Sequence, residues 1–520
     1  MDFLKRKYIV LLLIIITLAA FFRLWQLDSI PPALWPDEAI NANTAVQILE
    51  TKNFELFYPD NHGREGFFFL LVSFSFALFG ISLYSFKLVP AFFGILTIVG
   101  QYLFSLEFFR TIKFEEKRAQ ISALLASFFL AISFWHINFS RIGFRAILVP
   151  FILTFSFYFL LRGLRTRHFL NFVFSGIFFG LGFHTYISFR LAVFLLGFIL
   201  FFWFFIVLKE KWLKKYIFAS FLLLVLTGMV ALPIGLYFLE NPDHFVSRAM
   251  GVSVFEQESP IFSFFKSFLS HLLMFNFYGD ANWRHNLSGA PQLFFLAGLF
   301  SLVGFFWIVR QLIFLFKNKQ DSRLIKIASF LFLFSWCFFL LLPSALTIEG
   351  IPHALRTIGV IPVAYLFSGL GAYLVWNRIK NNWGKEKARN LFALLLTVMV
   401  FSSFTAYFFV WAKHPHLEQA FTKRFSDLGY ELNNFPLETK KYVIKNEGDL
   451  PTEVPRFIQK TAGRDEAIYL EPWQAEMIEF DPGDFIFIMN KEINSLYSLM
   501  NRFPDGLLIE KERILIYEIK

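Results

Sequence analysis

The chain has 520 residues, 56% of them hydrophobic and 77 of them Phe, with a mean hydropathy of +0.55. Apolar runs long enough for a hydrocarbon core, roughly 20 residues each, exclude a soluble globular protein. The formal charge of +10 does not point to nucleic acid, because the basic residues sit in short loops between apolar runs, which is a topological pattern.

The N-terminus has a basic start and an apolar core, but no small-residue cleavage site follows. It therefore reads as a retained first span over about residues 8–24, with Lys5, Arg6 and Lys7 on the cytoplasmic side. The loop 25–83 is then external. It is rich in carboxylates: Asp28, Asp37, Glu38, Glu55, Asp60 and Glu65, with His62 and Arg64 among them. Within it DEAINANTAVQILE reads as a helix with Asp37 at or near its N-cap. Ala39, Ala42, Val46 and Leu49 form one face and Asn43, Gln47 and Glu50 another. That pattern suits a helix lying along the membrane surface. The apolar run 67–81 is short for a crossing. If it stays in the interface, residues 84–109 form the second span, and Arg110, Lys113, Lys117 and Arg118 fall inside.

Further spans are predicted near 119–137, 144–162, 169–187, 190–208, 216–239, 291–316, 327–347, 357–376 and 390–412, about eleven in all. The turns assigned to the cytoplasm carry Arg162, Arg165, Arg167, Lys209, Lys211, Lys214, Lys215, Lys317, Lys319, Arg323, Lys326, Arg378, Lys380, Lys385, Lys387 and Arg389. The external segments differ in chemistry. NFSRIGFR holds Arg141 and Arg145, and HTYISFR holds His184, Tyr186 and Arg190. The second large external loop, 240–290, ends in DANWRHNLSGAP with Arg284 and His285, and EGIPHALR holds His353 and Arg356. The single cysteine, Cys337, lies in an apolar run, so no disulfide framework or cysteine metal site is encoded.

Beyond residue 413 the composition changes. KYVIKN, EAIYLE, DFIFIMN and RILIYEIK read as strands, and HLEQAFTKRFSDLGYELNNF and VPRFIQKTA as helices. Residues 1–412 are thus an all-α polytopic membrane domain, and 413–520 a small extracytoplasmic α/β domain without a phosphate-binding glycine loop. No internal repeat is visible, unlike the inverted repeats of many transporters.

Chemistry at an outer membrane face has no access to cytoplasmic nucleotide donors. A lipid-linked donor places its phosphate at the headgroup level instead. Such a reaction needs a carboxylate to take a proton from an acceptor hydroxyl and cations to stabilise the departing phosphate. Asp37 is the candidate base, although an Asp after Pro at a helix start also serves as an ordinary cap, and the two roles are compatible. Glu38 is a tuning or second acid. Arg141, Arg145, Arg190, His353 and Arg356 are candidate phosphate and sugar ligands, against the plainer role of snorkelling to headgroups. His184 and Tyr186 suit hydrogen bonding to a sugar or to each other. Arg284 and His285 sit in a polar loop, Arg64 and Glu65 are positioned in sequence to pair with each other, and Lys87 in the second span calls for a cavity or an acid partner. Metal use stays open: Asp37 and Glu38 could bind a divalent ion with histidines, although no tight ligand spacing demands it, and no other cofactor is indicated.

WPDEAINANTAVQIL after the first span, HGREGFFFLL, YSFKLVPAFFGILTIVG and PHALRTIGVIP together resemble membrane glycosyltransferases of the GT-C fold. The resemblance is to the protein O-mannosyltransferase and lipid A aminoarabinose transferase group. It implies transfer of a sugar, with inversion, from a polyprenyl-phosphate donor to an acceptor hydroxyl of protein, lipid or glycan outside the cytoplasm, in a multi-pass protein of the cytoplasmic membrane. Asp37 then matches the catalytic base, Glu38 its partner acid, and Arg356 the lipid-phosphate ligand. Two departures stand out: Arg64-Glu65-Gly66 replaces the group's Pro-Pro or Lys-Pro pair, and Lys87 replaces an arginine, keeping charge but losing the bidentate fork. The alternatives are a transporter or flippase of lipid-linked sugars, an oligosaccharide-transferring enzyme, and a sensor or scaffold built on the C-terminal domain.

Overall fold

The computed structural model describes residues 2–246, 253–318, 322–445, 448–489, 493–511 and 514–520. Lys319 and the Asn446, Asn490 and Arg513 ends of three expected strands lie outside the described residues. The chain forms two compact units. One takes in residues 1–25, 55–68 and 90–413, the other residues 26–54, 69–89 and 414–520. The tail therefore shares its unit with most of the first loop, where the sequence had grouped that loop with the membrane domain.

Nine helices among the described residues are long and apolar enough to cross a membrane, from Arg6–Leu24 to Lys385–Trp411. They coincide with nine of the expected spans. The other two expected spans fall on shorter helices, Glu116–Ala131 and Phe169–Gly182. The first is cut at Ser133, whose side chain caps a new helix, Phe134–Phe139, by accepting from His136 N. The second has 14 residues, about 21 Å at the α-helical rise, short of a roughly 30 Å core. Phe67–Phe79, with 13 residues, is likewise too short to cross.

Within the larger unit the Ile361–Trp383 helix is buried continuously from Ile361 to Tyr373. It meets Phe295–Lys317 through glycines. A Cβ on Gly371 would lie 1.8 Å from Phe300 O, and one on Gly304 would lie 2.1 Å from Phe367 O. Small residues here let two backbones approach as membrane helices do, where dispersion rather than water exclusion drives packing. The same unit holds a two-residue hairpin, β1 (Phe57–Tyr58) antiparallel to β2 (Arg64–Glu65).

The smaller unit contains a five-stranded mixed sheet: β3 (Lys441–Ile444), β4 (Ile468–Leu470), β5 (Phe485–Ile488), β6 (Leu507–Glu510) and β7 (Leu515–Glu518), in the order β4-β3-β5-β7-β6. The Glu453–Thr461 helix links the parallel pair β3 and β4, as a parallel connection demands. Tyr442, Ile444, Ile486, Ile488, Leu515 and Tyr517 pack one face with Phe480, Leu496 and Leu499. Val443, Phe487 and Ile516 on the other face are also buried, which explains the near-continuous apolar strands.

The Pro36–Thr51 helix belongs to this unit and is packed over more of its circumference than its sequence suggests. Ala42, Asn43, Thr44, Ala45, Val46 and Ile48 are all buried. Asn43 Nδ2 donates to Glu453 O at 2.9 Å and to Glu453 Oε2 at 2.8 Å, so Asn43 leaves the expected polar face to pack, whereas Gln47 and Glu50 stay exposed.

Candidate functional site

Asp37, Glu38 and Lys87 belong to the smaller unit and the remaining candidates to the larger. Trp35 caps the Pro36–Thr51 helix, with Pro36 as its first residue. Pro is preorganised for that position because the N–H it lacks would have no helical partner. Asp37 is therefore the second helical residue rather than the cap. It is partly exposed, whereas Glu38 is fully buried and accepts from Trp35 N at 3.3 Å. Two acids at one helix start are thus separated by function: Glu38 fixes the helix entry, and Asp37 retains solvent access. A carboxylate there is also favoured by the helix dipole. Lys87, 1% exposed, lines a cleft with Asp28, Pro31, Pro32, Leu34, Ser426 and Tyr430.

In the larger unit, adjacent Arg64 and Glu65 do not pair with each other. They lie on β2, where successive side chains point to opposite faces. Arg64 donates to both oxygens of Asp60, at 2.7 and 2.6 Å, and its guanidinium sits 5.7 Å from the Tyr58 ring centre. Glu65 faces the other way. It accepts from Arg145 Nε at 2.8 Å and lies 3.7 Å from Arg190 Nη2. Arg145 also donates to Gly63 O at 3.0 Å and lies over the Tyr186 ring. Arg190 donates to Phe245 O at 2.7 Å and stacks on Phe238 and Phe245. Glu65, Arg145, Tyr186 and Arg190 thus form one cluster, with Glu65, Arg145 and Tyr186 buried.

His184 is not paired with Tyr186; its Nε2 donates to Val230 O at 2.9 Å. Arg141 donates to Phe22 O at 3.1 Å and lies 5.2 Å from the Phe408 ring centre. Arg356 donates to Glu349 Oε2 at 2.6 Å and to Thr347 Oγ1 at 2.7 Å, with most of the Glu349 side chain in solvent. A guanidinium held by an exposed carboxylate and a hydroxyl is poised to exchange those partners for a phosphate.

His285, His353 and the unanticipated Asp280 form a second cluster. Their ligand atoms lie within 4.8 Å of one another, and neither Asp37 nor Glu38 belongs to such a group among the described residues. His285 Nδ1 donates to Asp280 Oδ2 at 3.0 Å, and the same oxygen accepts from Ala354 N at 2.8 Å. Burial, then the neighbouring His285, holds the His353 imidazole well below its usual range. Beside it His271, also missed from the sequence, accepts from His353 N at 3.0 Å and from Ser344 Oγ, and burial pushes it down to about 4. The spacing of Asp280 five residues before His285 was the one local signal, and it became specific only when the turn met His353.

The spans and the mixed-sheet domain define a polytopic protein of the GT-C fold. The same fold is seen in ArnT from Cupriavidus metallidurans, a lipid A aminoarabinose transferase. Its structures bound to undecaprenyl phosphate and in the apo state cover 99% of this chain and 98% of theirs, with TM-score 0.58 and 12% identity. The Pmt1-Pmt2 O-mannosyltransferase of S. cerevisiae bound to the sugar donor matches over 46% of this chain and 34% of that one, at TM-score 0.37 and 16% identity, too low to carry an argument. No family profile matches, and no curated protein matches.

Proposed function

We propose that the protein is an inverting glycosyltransferase that takes a sugar from a polyprenyl-phosphate donor and passes it to an acceptor hydroxyl. In this reading the N-terminus is cytoplasmic, the reaction occurs at the outer face of the cell membrane, and residues 413–520 lie on that side. The observation that carries it is the fold shared over 99% of the chain with a transferase structure that holds undecaprenyl phosphate. The partly exposed acid at a helix start and the arginine clusters supply the required chemistry.

Asp37 takes the acceptor proton as the hydroxyl oxygen bonds to the anomeric carbon. The bond from that carbon to the phosphate oxygen breaks at the same time, and the phosphate leaves with the electron pair. Arg356 and Arg190 hold that charge, donating hydrogen bonds that strengthen as it develops. Arg145, already paired with Glu65, positions the hairpin and supplies field rather than a direct bond. Purified protein in nanodiscs should bind undecaprenyl phosphate saturably. Arg356→Ala should weaken binding about tenfold, the loss expected for one hydrogen bond to a charged group. Absence of saturable binding would contradict the assignment.

A further inference from the structure

The Asp280, His285 and His353 group has the chemistry of a metal site rather than of a packed polar turn. Asp280 is held from both sides: Oδ1 accepts from Asn282 N at 2.8 Å and Oδ2 from Ala354 N at 2.8 Å. Backbone donors thus fix the carboxylate without neutralising its charge. His285 is oriented in turn. Its Nδ1 faces Asp280 Oδ2 at 3.0 Å, and a metal ion would take the place of the proton shared between them, with both atoms as ligands. The His353 ring lies 4.9 Å from that of His285, and Phe139 closes the other side of His285 at 5.5 Å. The His353 backbone is anchored by its N–H bond to His271. Two imidazoles and a carboxylate thus have ligand atoms within 4.8 Å of one another, with the carboxylate and the His353 backbone held by second partners.

We propose that Asp280, His285 and His353 bind a divalent transition-metal ion of the zinc class, which ties the 280–286 turn to the 347–357 segment. Imidazole nitrogens favour such an ion over calcium or magnesium, which prefer all-oxygen sites. Three protein ligands leave a four-coordinate ion one position for water or another oxygen. The ion also accounts for why two imidazoles and a buried carboxylate converge at a turn otherwise rich in guanidinium groups, Arg284 and Arg356. The proposal does not depend on the transferase reading, since metal binding is measured without any sugar donor.

The test uses full-length protein in detergent, stripped with a chelator and dialysed against micromolar Zn2+, with metal counted by mass spectrometry. Wild type should retain one equivalent, and Co2+ in its place should give the visible absorption of a low-symmetry nitrogen and oxygen site. His285→Ala and His353→Gln should each lower Zn2+ affinity at least about tenfold, while the surface variant His168→Ala keeps the full equivalent. The Co2+ spectrum of the wild type needs no variant, so a misfolded mutant cannot rescue the idea. Less than a tenth of an equivalent in wild type, no Co2+ band, or undiminished binding in both histidine variants would each overturn it.

Discussion

Replacing Glu65 by Gln removes one charge from a buried cluster while keeping its volume. Arg145 and Glu65 are 8% and 2% exposed at their side chains and 2.8 Å apart, with Arg190 at 3.7 Å. At an effective dielectric constant near 20 these separations correspond to about 6 and 4.5 kcal/mol of attraction, gross of desolvation. Glutamine preserves an oxygen for Arg145 Nε, so part of the contact survives. What remains is two guanidinium groups that have lost this carboxylate, and breaking a buried pair from one side typically costs 3–5 kcal/mol. We expect a loss of about 3 kcal/mol, roughly a hundredfold in the unfolding equilibrium. Thermal unfolding in detergent reads the global loss, and hydrogen exchange over residues 55–66 reads the hairpin. The double variant Glu65→Gln with Arg145→Met should recover part of the loss, because it removes the cation that lost this carboxylate. Stability within about 0.5 kcal/mol of wild type, the range of ordinary surface substitutions, with unchanged exchange would refute the electrostatic account of the cluster.

Two further perturbations probe packing. Asn43→Ala deletes both hydrogen bonds to Glu453 and should cost about 1–3 kcal/mol; faster proteolysis within residues 448–470 would report it, and an unchanged cleavage rate would count against the helix as part of this unit. Gly371→Ala forces a methyl against Phe300 O and should destabilise by at least the 1–3 kcal/mol of ordinary overpacking. A melting temperature equal to wild type would mean the two helices do not pack through these glycines.

The spans were legible because runs such as Leu213–Glu240 and Ile187–Val207 carry their signal in composition alone. The interruption at Ser133 was not, since a capping serine inside an apolar stretch becomes visible only once the helix turns. Four of the five strands were read from runs that include KYVI, IYL, FIFI and LIYE, short β-branched and aromatic, whereas β6 (Leu507–Glu510) was missed. Asn43 was misassigned to a solvent face because its partner, Glu453, is 410 residues away. The pairing of Arg64 with Glu65 failed for a local reason: recognising β2 as a strand would have sent the two side chains to opposite faces. Asp280 was passed over because its carboxylate gains meaning from Ala354 and His353, on a different segment.

Sugar transfer tests the central claim most directly. Wild type and Asp37→Asn are reconstituted in liposomes and offered a panel of radiolabelled polyprenyl-phosphate monosaccharides with membrane-extract acceptors. The account predicts transfer, or slow donor hydrolysis, for at least one donor in wild type. In Asp37→Asn it predicts a fall of at least about a hundredfold, the lower range for losing a general base, with yield and melting temperature preserved. Turnover by Asp37→Asn at the wild-type rate would contradict it.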